Sequence, residues 1–359
     1  MAPHAETATG TASDGKEVPV NPGEAPLEPG IKKNIAQGKM ISFPQSVATS
    51  RNPPPISPPA SPPTNIASLR PPTFTDKHEE REYLKGRLAA AFRIFGKYGF
   101  DEGVAGHITL RDPVQPDCFW VNPFGRAFSL ITKSDLILVD HSGQVIGGGE
   151  NRLLNTAAYM IHSAIHEARP DVMCAAHSHS IYGRTFCALG RKIDSLTQDS
   201  CAFHEDHVLY ESFNGVVLAE KEGKDIAACL GGKKAALLQN HGLLTVGKSV
   251  EEVSRVSFCS NSWISSYGCV QGCPCASSFD LLLTTSIQAV FWFLSLEKCC
   301  HSQLMAEAAA ASRGEKPVAI GAEEAAYTYR TVGSTKAGWF SAKPLFDVIH
   351  KETGGDYLE

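Results

Sequence analysis

Two apolar segments of the chain each run directly into histidine. Val172–His177 is followed by His179 after one residue, and Ala235–Gln239 is followed by His241 after one residue. Residues i and i+2 of a strand point to the same face, so the first two imidazoles are expected side by side. Three imidazoles from two strand ends can hold one cation and leave a fourth tetrahedral position open, as in catalytic zinc sites. The sequence therefore predicts a metal site at His177, His179 and His241, with three partly buried structural histidines as the alternative.

The segments around these histidines alternate between helical and extended patterns. Periodic apolar residues predict helices, and short apolar runs between turn residues predict strands. The early strands are short and turn-linked, which indicates an α/β layer around a mainly antiparallel or mixed sheet. The predicted helices are Thr75–Tyr98, Asn155–Ala168, Ser180–Leu189, Gly223–Leu230 and one starting at Ser249–Val256. The other predicted strands are His107–Leu110, Cys118–Val121, Leu136–Asp140, Val216–Leu218 and Gly242–Val246.

The composition of the first 75 residues differs from that of the rest of the chain. Fifteen of the 22 prolines lie in residues 1–75, where aromatic residues are nearly absent, so this segment is predicted to be a disordered, proline-rich tail. A net charge of -5 argues against a chain-wide nucleic-acid surface. No secretory signal and no apolar run of eighteen residues is present, so we expect a cytoplasmic protein without a transmembrane segment, whose eleven cysteines are reduced.

A segment of about residues 258–290 interrupts an otherwise helical pattern. Asp280 is the only charged residue between Val256 and Glu297, and the segment is rich in serine and cysteine. We interpret it as an insertion that forms a poorly ordered loop, or as translated non-coding sequence, which sequencing of the mature transcript would distinguish. The spacing of Cys269, Cys273 and Cys275 is not a strong zinc signature.

Longer motifs around the histidines resemble a known family. The segments RPDVMCAAHSHS, LLQNHGLLTVG, GHIT, VNPFG and VVLAEKEGKDIAACLG are similar to those of the class II aldolase/adducin family, most of all its fungal, adducin-related branch. The resemblance covers residues 76–351 apart from the insertion. It implies a three-layer α/β/α domain with a central, mainly antiparallel sheet, usually in a homotetramer.

The resemblance also implies roles for individual residues. His177, His179 and His241 match the family's zinc ligands. Glycine turns and hydroxyls match its phosphate-binding positions, although His107 replaces the asparagine usual in the GHIT segment. These substrate-binding positions are Gly106, Thr109, Gly125 and Ser134.

One family position lacks the expected side chain. Enzymes of the family carry a catalytic glutamate about nineteen residues before the first histidine of the pair, where this chain has Ala158. The substitute acids considered are Glu150 and Asp199, and Tyr327 is a C-terminal tyrosine that could cover a neighbouring subunit's site. His162 and His166, four residues apart on one helix face, are further substitutes, although structural packing is favoured for both.

Two classes of function follow from these observations. The first is a zinc-type lyase, epimerase or dehydratase that acts on a small hydroxy-carbonyl or sugar-phosphate substrate through an enediolate. The second is an adducin-like, non-catalytic protein that binds the actin cytoskeleton or other partners; the chain's last residues, HKETGGDYLE, lack the basic tail of animal adducins. The sequence alone identifies neither the substrate nor the metal, and it does not show whether catalysis survives Ala158.

Overall fold

The part of the chain that the structure describes has three layers, with helices on both faces of a single sheet. The computed structural model describes residues 72, 74–215, 220–248 and 285–359. These residues form an eight-stranded sheet in the order β4-β3-β2-β1-β5-β8-β7-β6. The strands are β1 (His107–Arg111), β2 (Phe119–Val121), β3 (Ile137–Val139), β4 (Val145–Gly148), β5 (Val172–Ser178), β6 (His207–Tyr210), β7 (Ala235–Leu238) and β8 (Gly242–Lys248).

The sheet is mainly antiparallel, as the sequence predicts. Every neighbouring pair is antiparallel except β6 and β7, which are parallel. Strand β5 lies at the centre, between β1 and β8, and all seven of its residues are buried. A histidine at the end of β5 is therefore held by hydrogen-bonded neighbours on both sides.

Helices cover both faces of the sheet. One face packs against the helices Lys77–Lys97, Ile181–Cys187 and Thr285–Ala311, and the helix Thr335–Thr353 packs on the first and last of these. The other face packs against the helices Thr156–Ala168 and Glu220–Leu230. The helices are α1 (Lys77–Lys97), α2 (Thr156–Ala168), α3 (Ile181–Cys187), α4 (Glu220–Leu230), α5 (Thr285–Ala311), α6 (Ala322–Val332) and α7 (Thr335–Thr353). This arrangement confirms the predicted three-layer α/β/α architecture.

Alternation along the central strands separates two environments. Ala176 and Cys174 of β5 enter the large core with α1 and α5, whereas Ala175 enters the smaller core under α2 and α4. On β1, Ile108 and Leu110 belong to the large core. The intervening residues of both strands, which include the histidines, therefore face α2.

Side chains cap the two helices that flank the site. The Asp76 carboxylate accepts a hydrogen bond from the His78 amide at the start of α1, and the Asn155 side chain accepts one from the Ala158 amide at the start of α2. Asn155 thereby satisfies an otherwise unpaired amide in the first turn of α2. Both helices start within two residues of their predicted positions.

Other elements differ from the predictions or lie outside the described residues. Strands β4 and β6 were not predicted; β4 contains two glycines, and β6 begins with a histidine and includes no long apolar run. Helix α5 begins at Thr285, so the last residues of the predicted insertion are helical. Most of the predicted tail, the strand Val216–Leu218, the helix at Ser249–Val256 and most of the insertion lie outside the described residues.

No helix in the described ranges is both long enough and apolar enough to cross a lipid bilayer.

Candidate metal centre

The three predicted histidines meet at one end of the central strands. His177 is the penultimate residue of β5, His179 follows the strand, and His241 lies in the turn between β7 and β8. One nitrogen from each ring lies within 4.8 Å of those of the other two. The ring centroids are 4.7–5.2 Å apart. A small side-chain rotation would bring all three nitrogens to a single ion, since zinc–nitrogen bonds are about 2.0–2.1 Å long.

The turn that carries His241 requires the residue types found in the QNHG segment, residues 239–242. Asn240 adopts a left-handed conformation with φ +57, which asparagine tolerates better than most residues. The His241 amide donates to the Leu238 carbonyl at 3.0 Å and closes the turn. A Cβ on Gly242 would lie 2.5 Å from the Ser178 carbonyl oxygen. Glycine there lets the turn approach the end of β5, which brings His241 beside His177.

A hydrogen bond determines which nitrogen of His177 can bind a metal. Its Nδ1 lies 2.9 Å from the Leu243 carbonyl oxygen, which can only accept. Nδ1 therefore carries the proton, and Nε2 presents its lone pair. Metal-binding histidines usually show this arrangement, in which a carbonyl holds the ring in one orientation.

Burial keeps the three imidazoles neutral. It lowers the pKa of His177 well below its usual value, and the neighbouring rings of His241 and His107 lower it further. Burial and the nearby His179 lower the pKa of His241 to about 4. Burial, followed by the positive charge of Arg184, lowers the pKa of His179. Neutral imidazole is the form that binds metal, so this donor set suits a divalent cation.

A second group of imidazoles lies beside the centre, between β1 and α2. His107 pairs with His177 in the sheet register, and their ring centroids are 5.0 Å apart. The His107 ring is also 4.3 Å from that of His162 on α2. The Thr109 hydroxyl then joins His162 Nδ1, at 2.6 Å, to His166 Nε2, at 2.8 Å. We call His107, His162, Thr109 and His166 the histidine column.

The histidine column is buried and uncharged. Burial lowers the pKa of His107 and His162 well below the usual value, and burial with the nearby Arg111 lowers that of His166 to about 3. Among the described residues, both ring nitrogens of His107 and Nε2 of His162 have no hydrogen-bond partner. Buried polar atoms are normally paired, so these three atoms form an unusual polar group beside His177, His179 and His241.

A separate cavity lies at the far end of the column. It has a volume of about 930 Å³, and its lining includes Arg111, Tyr159, His166, Glu167 and Lys224. Arg111 is four residues from His107 along β1, or about 13 Å at the usual rise of a strand. None of the three candidate ligands, His177, His179 and His241, lines this cavity.

Comparisons with known proteins agree with this geometry. The family model described as "Class II Aldolase and Adducin N-terminal domain" matches residues 86–264. "Decarboxylase NovR" of Streptomyces niveus is 42% identical over 279 residues, which cover 77% of this chain and 88% of that protein. The chain belongs to the class II aldolase and adducin N-terminal domain family.

Two further members of the family show its breadth. An L-fuculose 1-phosphate aldolase from Glaciozyma antarctica PI12 has a solved structure that matches this one with a TM-score of 0.66 and 44% sequence identity. The match covers 81% of this chain and 98% of that one. An adducin-related protein of Schizosaccharomyces pombe is 35% identical over 182 residues, which cover 49% of this chain and 55% of that protein. The family therefore includes an aldolase, a protein named a decarboxylase and adducin-related proteins.

The positions proposed for substrate binding by analogy with the family differ in their surroundings. Gly106 adopts φ +92 and lies against the carbonyl oxygen of His177, next to the candidate metal centre. Thr109 differs from the prediction of a hydroxyl at a turn, because it lies inside β1, is 1% exposed and bonds to two imidazoles. Gly125 occupies an exposed turn after β2 with φ +86. Ser134 is exposed, and its contacts are with Thr132 and the backbone of Glu359.

The candidate catalytic side chains do not converge on the histidines in a single chain. Glu150 is exposed beyond β4, whose end lies four strand spacings, or about 19 Å, across the sheet from β5. Asp199 is exposed before the short 3-10 helix Ser200–Phe203, near Cys299 of α5. Tyr327 on α6 is 69% exposed, with Arg330 over its ring. Their catalytic roles stay predictions.

The position of the missing glutamate is part of the buried face of α2. Ala158 is 1% exposed and lies one turn before His162, which is itself one turn before His166. Residues four apart share a helix face, so Ala158 faces β1 together with the two imidazoles. The sequence pattern favours simple packing for these two histidines and contains no signal for the contact between His107 and His162.

Proposed function

We propose that this protein is a divalent-metal-dependent lyase that acts on a small hydroxy-carbonyl compound. The convergence of His177, His179 and His241, with Nε2 of His177 free to bind, supports this proposal. Class II aldolases generally depend on a divalent metal, and zinc is the ion that we expect here. When bound, the metal would act as a Lewis acid that polarises the substrate carbonyl and its neighbouring hydroxyl.

The chain's own residues would bind and orient the substrate beside the metal. His107 is neutral and offers one donor and one acceptor nitrogen, neither of which has a partner among the described residues. It can therefore hydrogen-bond a substrate hydroxyl or carboxylate that lies next to His177. Gly106, with its left-handed backbone, presents the chain at the same place. We propose these two residues as substrate contacts.

Ala158 affects which bond such a site can break. Aldol cleavage begins when a base removes the proton of the β-hydroxyl; the bond between the α and β carbons then breaks, and its electron pair forms an enediolate. A methyl group at Ala158 cannot accept that proton. This route requires another base, such as a neutral ring of the histidine column or an acid from a second subunit.

Decarboxylation is a second candidate, and it avoids this requirement. In an acid whose carboxylate is attached to the carbon next to the carbonyl, the bond to the carboxylate breaks and CO₂ leaves. The electron pair stays on the substrate as an enolate, which then takes up a proton. No proton has to be removed before the bond breaks. The similarity to "Decarboxylase NovR" over 88% of that protein's length supports this candidate.

The adducin-like alternative predicts binding without turnover. It is supported by the 35% identity to the adducin-related protein of Schizosaccharomyces pombe. It predicts cosedimentation with actin filaments that does not change when metal is removed. A homotetramer and a cytoplasmic location are further expectations from the family, and sedimentation analysis and imaging of a tagged protein would check them.

Metal content and turnover together test the lyase proposal. We expect about one zinc per chain by elemental mass spectrometry, and loss of that zinc in His177→Ala. The wild-type protein should cleave a hydroxy-carbonyl compound, or release CO₂ from a 3-oxo acid, and His177→Ala should do neither. His141→Ala, at an exposed histidine of the same domain, is the matched control and should keep metal and activity. Turnover that survives in His177→Ala, or a folded wild-type protein that takes up no zinc, would overturn the proposal.

A further inference from the structure

A buried carboxylate from a distant helix holds the segment that follows His179. Glu297 of α5 is 4% exposed. One of its oxygens accepts hydrogen bonds from the Ser180 hydroxyl, at 2.5 Å, and from the Gly183 amide, at 2.6 Å. Its other oxygen accepts from the Tyr182 amide at 2.9 Å. All three donors belong to the start of α3, directly after His179.

These hydrogen bonds satisfy a helix that does not cap itself. The side chain of Ser180, at the N-cap position of α3, accepts no hydrogen bond from the helix. The first amides of a helix need acceptors, and a carboxylate is the strongest that a protein offers. Burial increases the cost of losing this acceptor, because the amides have little access to water. Glu297 therefore fixes the position of the first turn of α3.

The surroundings of Glu297 are adapted to this contact. A Cβ on Gly183 would lie 2.8 Å from a Glu297 carboxylate oxygen and 2.5 Å from Leu243 Cγ, so only glycine allows α3 to approach so closely. One turn further along α5, the His301 ring stacks on the Tyr182 ring with centroids 3.5 Å apart and an angle of 5° between the planes. Helix α5 thus holds the first turn of α3 at two successive positions.

The three metal-binding histidines differ in how their backbones are supported. His177 lies within β5 between two paired strands, and its ring is fixed by Leu243. His241 is held by the closed turn between β7 and β8. His179 lies beyond the end of β5, and the next anchored residue is Ser180, through its bond to Glu297. Of the three, His179 depends most on a contact made by another element.

We propose that Glu297 is a positioning residue for the metal centre, because it sets the direction of His179 through the first turn of α3. This inference rests on the proposed function insofar as it assumes that the three histidines bind a metal. It assigns to α5, which contributes no metal ligand, control over the geometry of one ligand. Loss of the carboxylate should weaken metal binding while His179 itself is retained.

Glu297→Gln tests this role with a nearly isosteric change. The amide NH₂ group would face at least one donor of α3, which breaks one or two of the three hydrogen bonds. We expect zinc affinity, measured by competition with a chelator, to fall about 10- to 100-fold, as is typical when a residue that supports a metal ligand is changed. The visible absorption spectrum of the cobalt-loaded protein should shift, because the ligand geometry around the ion changes.

Gln303→Ala is the matched control on the same helix. Gln303 is buried and makes three hydrogen bonds, to the Asp194 amide, the Asp194 carboxylate and Glu307, away from α3. It should lower the thermal stability of the metal-free protein but leave zinc affinity and the cobalt spectrum unchanged. Ser180→Ala removes one hydrogen bond to Glu297 and should weaken zinc binding several-fold, so it decides the question if Glu297→Gln does not fold.

The outcomes separate the two proposals. Zinc affinity that is unchanged in folded Glu297→Gln, or that falls equally in Gln303→Ala, would overturn the positioning role and leave the metal centre standing. The same holds if Glu297→Gln does not fold and Ser180→Ala binds zinc as the wild type does. A wild-type protein that binds neither zinc nor cobalt would overturn both proposals.

Discussion

Acidification should destabilise the metal-free protein through the histidine column, and His166 allows the size of this effect to be calculated. His166 is 5% exposed, bonds to the Thr109 hydroxyl and lies near the Arg111 guanidinium. Its pKa falls from 6.5 in the unfolded chain to about 3 in the folded one. The unfolded state therefore binds more protons between these values, so the stability present above pH 6.5 is lost as the pH falls towards 3.

The expected loss at His166 is large compared with the stability of a typical domain. At pH 5 the pH is 1.5 units below the pKa of the unfolded imidazole, which is therefore protonated, whereas the folded imidazole is still neutral. Each unit corresponds to about 1.4 kcal/mol, so His166 alone should lower the free energy of unfolding by about 2 kcal/mol between pH 7.5 and pH 5. Whole domains are usually stable by about 5–15 kcal/mol.

Urea unfolding at pH 7.5 and pH 5, with a chelator present, measures this contribution. His166→Gln keeps a hydrogen-bonding side chain but removes the titrating ring. At pH 7.5 the variant should have a lower free energy of unfolding than the wild type. At pH 5 this difference should be about 2 kcal/mol smaller, because acidification removes the contribution of the His166 imidazole from the wild type only. His141→Asn, at an exposed histidine, should show no such change in the difference. A difference between wild type and His166→Gln that is the same at both pH values would refute the reasoning.

Two further predictions concern stability away from the metal centre. Gly148→Ala should lower the free energy of unfolding in urea by about 2 kcal/mol more than Gly125→Ala does. Both glycines have positive φ, but only a Cβ at Gly148 would meet the backbone, 2.6 Å from Ile137 Cα. Equal losses in the two variants would contradict this. Lys234→Met should lower the free energy of unfolding by about 2–3 kcal/mol and make α6 more susceptible to limited proteolysis. The buried ammonium donates to the Gly333 carbonyl at 2.8 Å and lies 3.4 Å from Asp206. Unchanged proteolysis of α6 would contradict the expectation for this helix.

The convergence of the three histidines could be predicted from the sequence because local rules largely determine their placement. The apolar strands before His177 and before His241 run in the same direction, so both histidines lie at one end of the sheet. His179 follows at i+2, as the strand pattern predicts, although it lies just beyond the end of β5. The antiparallel character of the sheet followed from short, turn-linked strands. These features depend on neighbouring residues in the chain, which a single sequence shows directly.

The histidine column could not be predicted in the same way because it joins distant elements. Alternation places His107 and Thr109 on one face of β1, and helical spacing places His162 and His166 on one face of α2. Nothing in either pattern shows that these two faces meet. Glu297 is a stronger case, because it contacts Ser180 across 117 positions of the chain. Its one visible signal is that it is the first charged residue of α5, directly after a mainly apolar run.

The column and Ala158 together bear on the chemistry of the site. Ala158 lies on the face of α2 that carries His162 and His166, so the glutamate expected from the family resemblance would lie beside neutral imidazoles. A carboxylate there would attract protons to the column and raise the pKa of its rings. Without a carboxylate at this position the rings stay neutral, and they can hydrogen-bond a substrate without placing a net charge in the protein interior. Such a surface suits a reaction that starts with bond cleavage and ends with proton uptake, which is the order of steps in decarboxylation. Aldol cleavage also ends with proton uptake, but a base must first remove a hydroxyl proton.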